Sequence, residues 1–565
     1  MSGGEARELA EQLAALSDAD LRALLTARRI QPQVGWHDFF DAAEALLAPE
    51  SIASALRLLP RGVLAALAGG RPVQGGAVAA SLVGADGRAL PRVAAALADV
   101  DLAPADAPPP RLADDAASAR AAERAFTTLS ALADVLVAAL STPLTRVGSG
   151  SVAAADRRRL LQEEVARDAD ELDDLVRLGE VAGLLHALER AWVVTAAGAD
   201  WVQADTRVRW ERLTGGWRDA LPEGVRSPAG GWLPPAAWAG AYPLDPSWPE
   251  SATTWLRLGV LLGLGELLEF DAAETAWARP LREGTAPDAS ALVALLPGEV
   301  DRVFLQNDLT AISPGPLVPA LEVRLRGMAT RETHAQASTY RFSEATLSTA
   351  LAAGETAEAI RAFLSELSLT GIPQPLDYLL SRAAERHGLV QVRTDPDDGR
   401  TLVTSVDPRI LETIAVDQAL QPIALVRAGG ALRTRISRDA VARALAEARY
   451  PAVAVDESGA PVPLRHGHAA PPPNDTASSR FDPLIARLRA AHGEDAEAAW
   501  LERELESAVR ARALVVVAVA MPDGAVREFT LEASGMAGGR LRGRDRAADV
   551  ERTLPVALIR SVRPA

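Results

Sequence analysis

The chain of 565 residues contains no cysteine and no lysine. The first absence excludes disulfides, thiolate nucleophiles, cysteine-ligated zinc and iron–sulfur clusters. The second excludes a phosphate-binding loop of the form G-x-x-x-x-G-K-[ST], whose lysine neutralises the β/γ-phosphates of ATP. No apolar run approaches the roughly 18 residues that a membrane helix requires. The opening MSGGEARELAEQL is acidic and helical, unlike the charged-then-apolar layout of a secretion signal. A cytoplasmic protein with no membrane partner is expected. The seven histidines are scattered, and the close pair His466 and His468 has no third ligand at fixed spacing, so no metal or cofactor is expected. VGSGSV at Val147–Val152 lacks the G-x-S-x-G elbow of a serine hydrolase and reads as a helix cap. No enzyme is expected.

What is present is arginine. All 59 basic residues are arginine against 75 acidic ones, leaving a net charge of −16 that opposes phosphate binding over the surface as a whole. Contact with nucleic acid therefore requires local basic patches, and two stand out. Arg427–Arg449 carries six arginines against Asp439 and Glu447. Arg540–Arg563 carries seven against Asp545, Asp549 and Glu551.

The length predicts several domains rather than one core. Residues 1–110 read as a helical, winged-helix-like module with a cap at Ser17. Ala103–Asp115 reads as a Pro/Asp linker. Helix–turn–helix–strand order recurs at 116–222 and in a tryptophan-rich block at 225–297, suggesting tandem winged helices. Residues 298–390 alternate strand and helix. Residues 391–460 read as a hairpin about a D-D-G turn, then strand, Gly429-Gly430 turn, strand, helix and strand. A linker at 461–479 leads to two helices and a β-rich unit at 480–565. The fold class expected is α+β, multidomain and predominantly helical, with a central α/β domain and a small C-terminal β-barrel.

Three pieces of the central domain carry a resemblance: VFLQNDLTAIS from Val303, HAQASTYRFSEATLSTALAAG from His334, and LSLTGIPQPLDYLLSRAAERHG from Leu367 to Gly388. Their order and spacing resemble the helicase-associated domain shared with the N-terminal region of XPB-type DNA-repair helicases, a domain that also occurs without a motor in actinobacterial proteins. The C-terminal frame GRLRGRD…ERTLPVALI resembles a WYL domain, a small Sm-like barrel, with Leu541 and Arg552 at matching positions. The Trp-Tyr pair that names that family is absent, which puts its ligand binding in doubt. These resemblances imply DNA repair or nucleic-acid processing, with an XPB-type helicase as a partner.

For direct phosphate contact the candidates are Arg427, Arg433, Arg435 and Arg438, Arg540, Arg542, Arg544 and Arg552, and Arg341 in the helicase-like domain. Arg433 and Arg435 alternate onto one face of a strand, and the Gly429-Gly430 turn brings in Arg427. The recognition-helix position of the second module instead carries Asp168, Asp170, Glu171, Asp173 and Asp174, which phosphate would repel. Nine of eleven tryptophans fall between Trp192 and Trp277, and core packing is favoured over base stacking because the surrounding charge is not basic. The reading is a non-catalytic DNA-binding or helicase-partner protein, preferring single-stranded or forked DNA to a sequence-specific duplex. A WYL-type ligand-sensing transcriptional regulator and a protein–protein adaptor are the alternatives.

Overall fold

The computed structural model describes residues 3–73, 76, 81–103, 107–148, 150–268, 272–332, 338–396, 398–448, 450–456, 459, 462, 480–493, 496–522, 524–546 and 548–565. The expected linker 461–479, with His466 and His468, lies outside the described residues except for Val462, as does Arg449. The architecture is mixed α/β, with several small sheets and five buried apolar clusters.

The first cluster is built from the N-terminal helices, two of which are started by a short polar side chain. Ser17 accepts from the Asp20 amide at 3.1 Å, and Asp38 accepts from Asp41 at 2.9 Å. Leucine and alanine at helical spacing then bury Leu9, Leu13, Leu24, Phe39 and Leu46. The same core also takes Phe481, Leu484, Ile485, Leu488 and Trp500 from the far end of the chain. The helix Asp482–Ala491 is anchored there by Arg489, which donates to the carbonyls of Ala14 and Leu16, faces Asp18 at 3.2 Å and lies over the Phe39 ring at 5.3 Å. Those carbonyls belong to the end of helix Gly3–Ala15, where a cation complements the helix dipole. A single C-terminal unit at 480–565 is therefore corrected: its first helix completes the N-terminal core. Among the described residues of this unit, Leu501 onward packs with the last sheet.

The second cluster runs from Ala121 to Leu292, so the two modules drawn at 116–222 and 225–297 share one core. Its axis is the 27-residue helix Asp115–Ser141, capped by Asp114 and buried along Ala121, Ala125, Leu129, Leu132, Leu136 and Ala139. This helix is long and apolar enough to cross a membrane, but half of its apolar window is buried inside the fold. Arg111 and Leu112, expected in a linker, form a short strand parallel to Ala273 and Glu274. Seven tryptophans of the region, among them Trp201, Trp210 and Trp217, donate their indole N–H to backbone carbonyls. Trp217 also meets Trp232 edge-on at 5.1 Å. They are core residues, as the sequence favoured.

The helicase-like domain has a four-stranded antiparallel sheet, Phe304–Leu305, Thr310–Ser313, Ser338–Arg341 and Thr330–Arg331 in spatial order. Helices bury Leu347, Ile360, Leu364 and Leu380 against it. Ser343 and Thr346 cap one of them reciprocally. The next unit carries a helix, Pro408–Val416, between the D-D-G hairpin and the strand–turn–strand–helix–strand run that follows it. Its five strands lie in the order Val426–Ala428, Ala431–Thr434, Thr401–Ser405, Val390–Thr394 and Ala452–Ala454, the last pair parallel.

In the last unit, strands Val550–Pro555, Arg540–Asp545, Val526–Ala537, Leu514–Ala520 and Ile559–Pro564 form an antiparallel sheet in that spatial order. Among the described residues its two outer strands do not pair, so the expected barrel is corrected to an open sheet. Leu501, Leu505 and Ala508 of helix Ala496–Arg510 cover one face.

Candidate nucleic-acid interface

In an antiparallel pair, residues opposite one another point to the same side of the sheet. The Gly429-Gly430 turn sets Ala428 opposite Ala431, Arg427 opposite Leu432 and Val426 opposite Arg433. Leu432 is in the core, so Arg427 projects to the helix-covered side, 3.6 Å from Glu412. The expectation that Arg427 shares a basic face with Arg433 and Arg435 is corrected. On the open face, Val426, Arg433, Leu402 and Arg393 form one row across four strands.

Within that face Arg433 bonds the buried Asp395 and lies 3.6 Å from Asp398, whereas Arg400 lies 3.3 Å from Asp398. Arg438 pairs with its neighbour Asp439 at 2.9 Å. Arg393 and Arg435 are exposed and hold no ion pair among the described residues. Continuing the Thr401–Thr434 register by one residue sets Arg400 beside Arg435. The sequence reading omitted Arg393 and Arg400. Both were accessible by counting outward from the D-D-G turn at period two.

The strand Arg540–Asp545 alternates cleanly, with Leu541, Gly543 and Asp545 buried and Arg540, Arg542 and Arg544 exposed. Their neighbours separate them. Arg544 stands between Glu532 and Glu551 and bonds Asp549 at 2.7 Å. Arg542 stands between Gly535 and Thr553, and Arg540 between Ala537 and Pro555, so no carboxylate opposes either. Arg552 stands opposite Gly543 on the inner face. It bonds buried Asp545 at 2.5 Å and stacks 4.8 Å over Phe529. These contacts give Arg552 a packing role.

Arg341 is also committed. It bonds Glu332 at 3.1 Å and donates to the Asp308 carbonyl at 3.1 Å, bracing the Gln306–Asp308 loop. The Thr310 hydroxyl, donating at 2.6 Å, holds the Asp308 carboxyl below the usual carboxylate range. Two further arginines of this domain, Arg326 and Arg331, reach Asp134 on the long helix of the preceding unit, where that carboxylate is buried. Burial would depress the Arg331 guanidinium, but Asp134 and Glu322 more than offset it and hold its pKa above the ordinary value.

The acidic helix of the second module, Ala169–Val181, is tied inward. Asp174 takes both arms of Arg257 at 2.6 and 2.8 Å, Glu171 pairs with Arg167 at 2.9 Å, and Asp173 accepts from Ser151 at 3.0 Å. Asp168 is its N-cap.

Of the nine candidate arginines, Arg435, Arg540 and Arg542 remain exposed without an ion pair among the described residues. Residues 303–429 match the family described as a helicase conserved C-terminal domain. The match extends past Gly388 through the D-D-G hairpin to the Gly429 turn, so it spans the helicase-like sheet and much of the sheet that follows. No curated protein matches the chain. The central part of the chain is thus similar to a helicase-associated domain.

Proposed function

We propose that this chain is a non-catalytic partner of nucleic-acid processing: a helicase-associated protein without a motor that touches nucleic acid through the Arg540–Arg542 row. The observation that carries the reading is a helicase-domain match at 303–429 in a chain with no lysine for a phosphate-binding loop. Arg540 and Arg542 lie two residues apart on one strand, about 6–7 Å, a spacing that suits successive phosphates. The order helix, strand, helix, helix and hairpin from Asp115 to Val194 supports a winged-helix module. Because Glu171, Asp173 and Asp174 are engaged within the fold, that module serves as scaffold. DNA repair as the process, an XPB-type helicase as the partner and the cytoplasm as the location belong to the same proposal, as does the WYL likeness of the last sheet.

The test is binding to single-stranded, duplex and forked DNA across a salt series. The logarithm of the binding constant should fall linearly with the logarithm of salt concentration. An Arg540→Ala/Arg542→Ala variant should lower the slope by about 1.4–1.8, two phosphate contacts at roughly 0.7–0.9 each. Arg552→Ala should instead destabilise the sheet without changing the slope. A protein–protein adaptor is the second reading, favoured by the arginines already neutralised. It stands if no DNA binds at low salt.

A further inference from the structure

A separate feature of the second sheet points to a protein partner. The strand Val426–Ala428 is its open edge, exposed at all three residues. Beside it is a groove of about 460 Å³ with Val426, Ala428 and Ile436 on its floor and Arg400, Arg433 and Arg435 along its rim. Val426 is 66% exposed and Ile436 38%, a surplus of apolar surface beside three guanidinium groups. We propose that this groove docks a short acidic segment of a partner protein, laid extended along the open edge with one large apolar side chain seated on Val426 and Ile436.

Charge and chemistry select the occupant together. Guanidinium forks pair with carboxylates in two-point geometry, and Arg435 has no acid of its own among the described residues. The floor is aliphatic and, among the described residues, no aromatic ring lines the groove. An unpaired base would therefore lack the stacking platform that normally accompanies single-strand binding. A branched or aromatic side chain flanked by Asp or Glu meets both floor and rim. An open edge is also a ready template for an extended chain, with pockets beside it reading alternate side chains.

The site uses none of Arg540, Arg542 or Arg544, so its failure leaves the DNA reading intact, and the converse holds. The probe is an arrayed set of fluorescein-labelled dodecapeptides, each with about five acidic residues around one Leu, Ile, Phe, Met or Trp, titrated by anisotropy against the full chain. Peptides that bind should lose at least tenfold in affinity with Arg435→Glu, with Val426→Asp, or when the central apolar residue becomes Ala. Arg540→Ala/Arg542→Ala should leave them unchanged. Both groove residues are exposed, so unchanged melting and circular dichroism establish that the variants fold. The proposal is overturned if no peptide binds the wild-type chain, or if binding ignores both groove variants. It is equally overturned if a twenty-nucleotide oligothymidylate displaces the peptide and itself loses affinity in Arg435→Glu, which would make the groove a nucleic-acid site.

Discussion

Asp134→Ala is expected to cost about 3–5 kcal/mol of stability, because it leaves two buried or half-buried guanidinium groups without their carboxylate. Asp134 is 3% exposed on the long helix of the tryptophan-rich unit, and both Arg326 and Arg331 bond it from the helicase-like domain. Arg331 keeps Glu322 at 2.7 Å, so Arg326 loses more. Urea unfolding should change from a shared transition to two, since this pairing couples the two cores. Replacing the triad together, as Asp134→Leu with Arg326→Met and Arg331→Met, should recover most of the loss, because apolar packing removes the desolvation cost along with the attraction. A single Asp134→Ala variant that loses under 1 kcal/mol, with its transitions still coincident, would show that the pairing does not couple the domains.

The second large effect concerns pH. Glu504, on the helix packed between the last sheet and the N-terminal helix, is 4% exposed, and its Oε2 has no hydrogen-bond partner among the described residues. Burial pushes its carboxyl from 4.5 up to about 7; Arg7 opposes that shift and Glu11 adds to it. The folded state therefore holds the proton more tightly than the unfolded one. The resulting stability is complete below about pH 4.5 and is lost as pH rises through 7. At about 1.4 kcal/mol per pKa unit, the penalty above that window is about 3 kcal/mol. Glu504→Gln should match the wild type near pH 4.5 and exceed it by that amount at pH 8. Parallel stability curves for the two proteins across this range would refute the assignment.

Local order was legible because it depends on neighbours in sequence. The Ser17 cap, the D-D-G hairpin with its Val390–Thr394 and Thr401–Ser405 strands, and the strand–turn–strand–helix–strand run after it all follow from residues a few positions apart. Ser437 stands where a cap is expected, directly before the Arg438–Glu447 helix, but its side chain makes no cap hydrogen bond. The face of Arg427 was legible in principle. A two-residue turn fixes which residues oppose each other, and Leu432 was a plain core residue. That most of the basic candidates are ion-paired was hidden for a different reason. Local charge counts treat each arginine as free, whereas Arg433, Arg341 and Arg544 meet acids brought in by turns and neighbouring strands. No periodicity could reveal that Arg489 serves the carbonyls of Ala14 and Leu16.

The N-terminal helices are finished by Phe481, Leu484, Ile485 and Leu488, roughly 380 residues further along the chain. At about 5–20 residues per second, a ribosome delivers those residues some 20–80 s after the first module emerges. Until then the module presents an uncovered leucine-rich surface. It should be held by chaperones during translation, and any transcript truncated before codon 480 should yield an aggregation-prone N-terminal fragment.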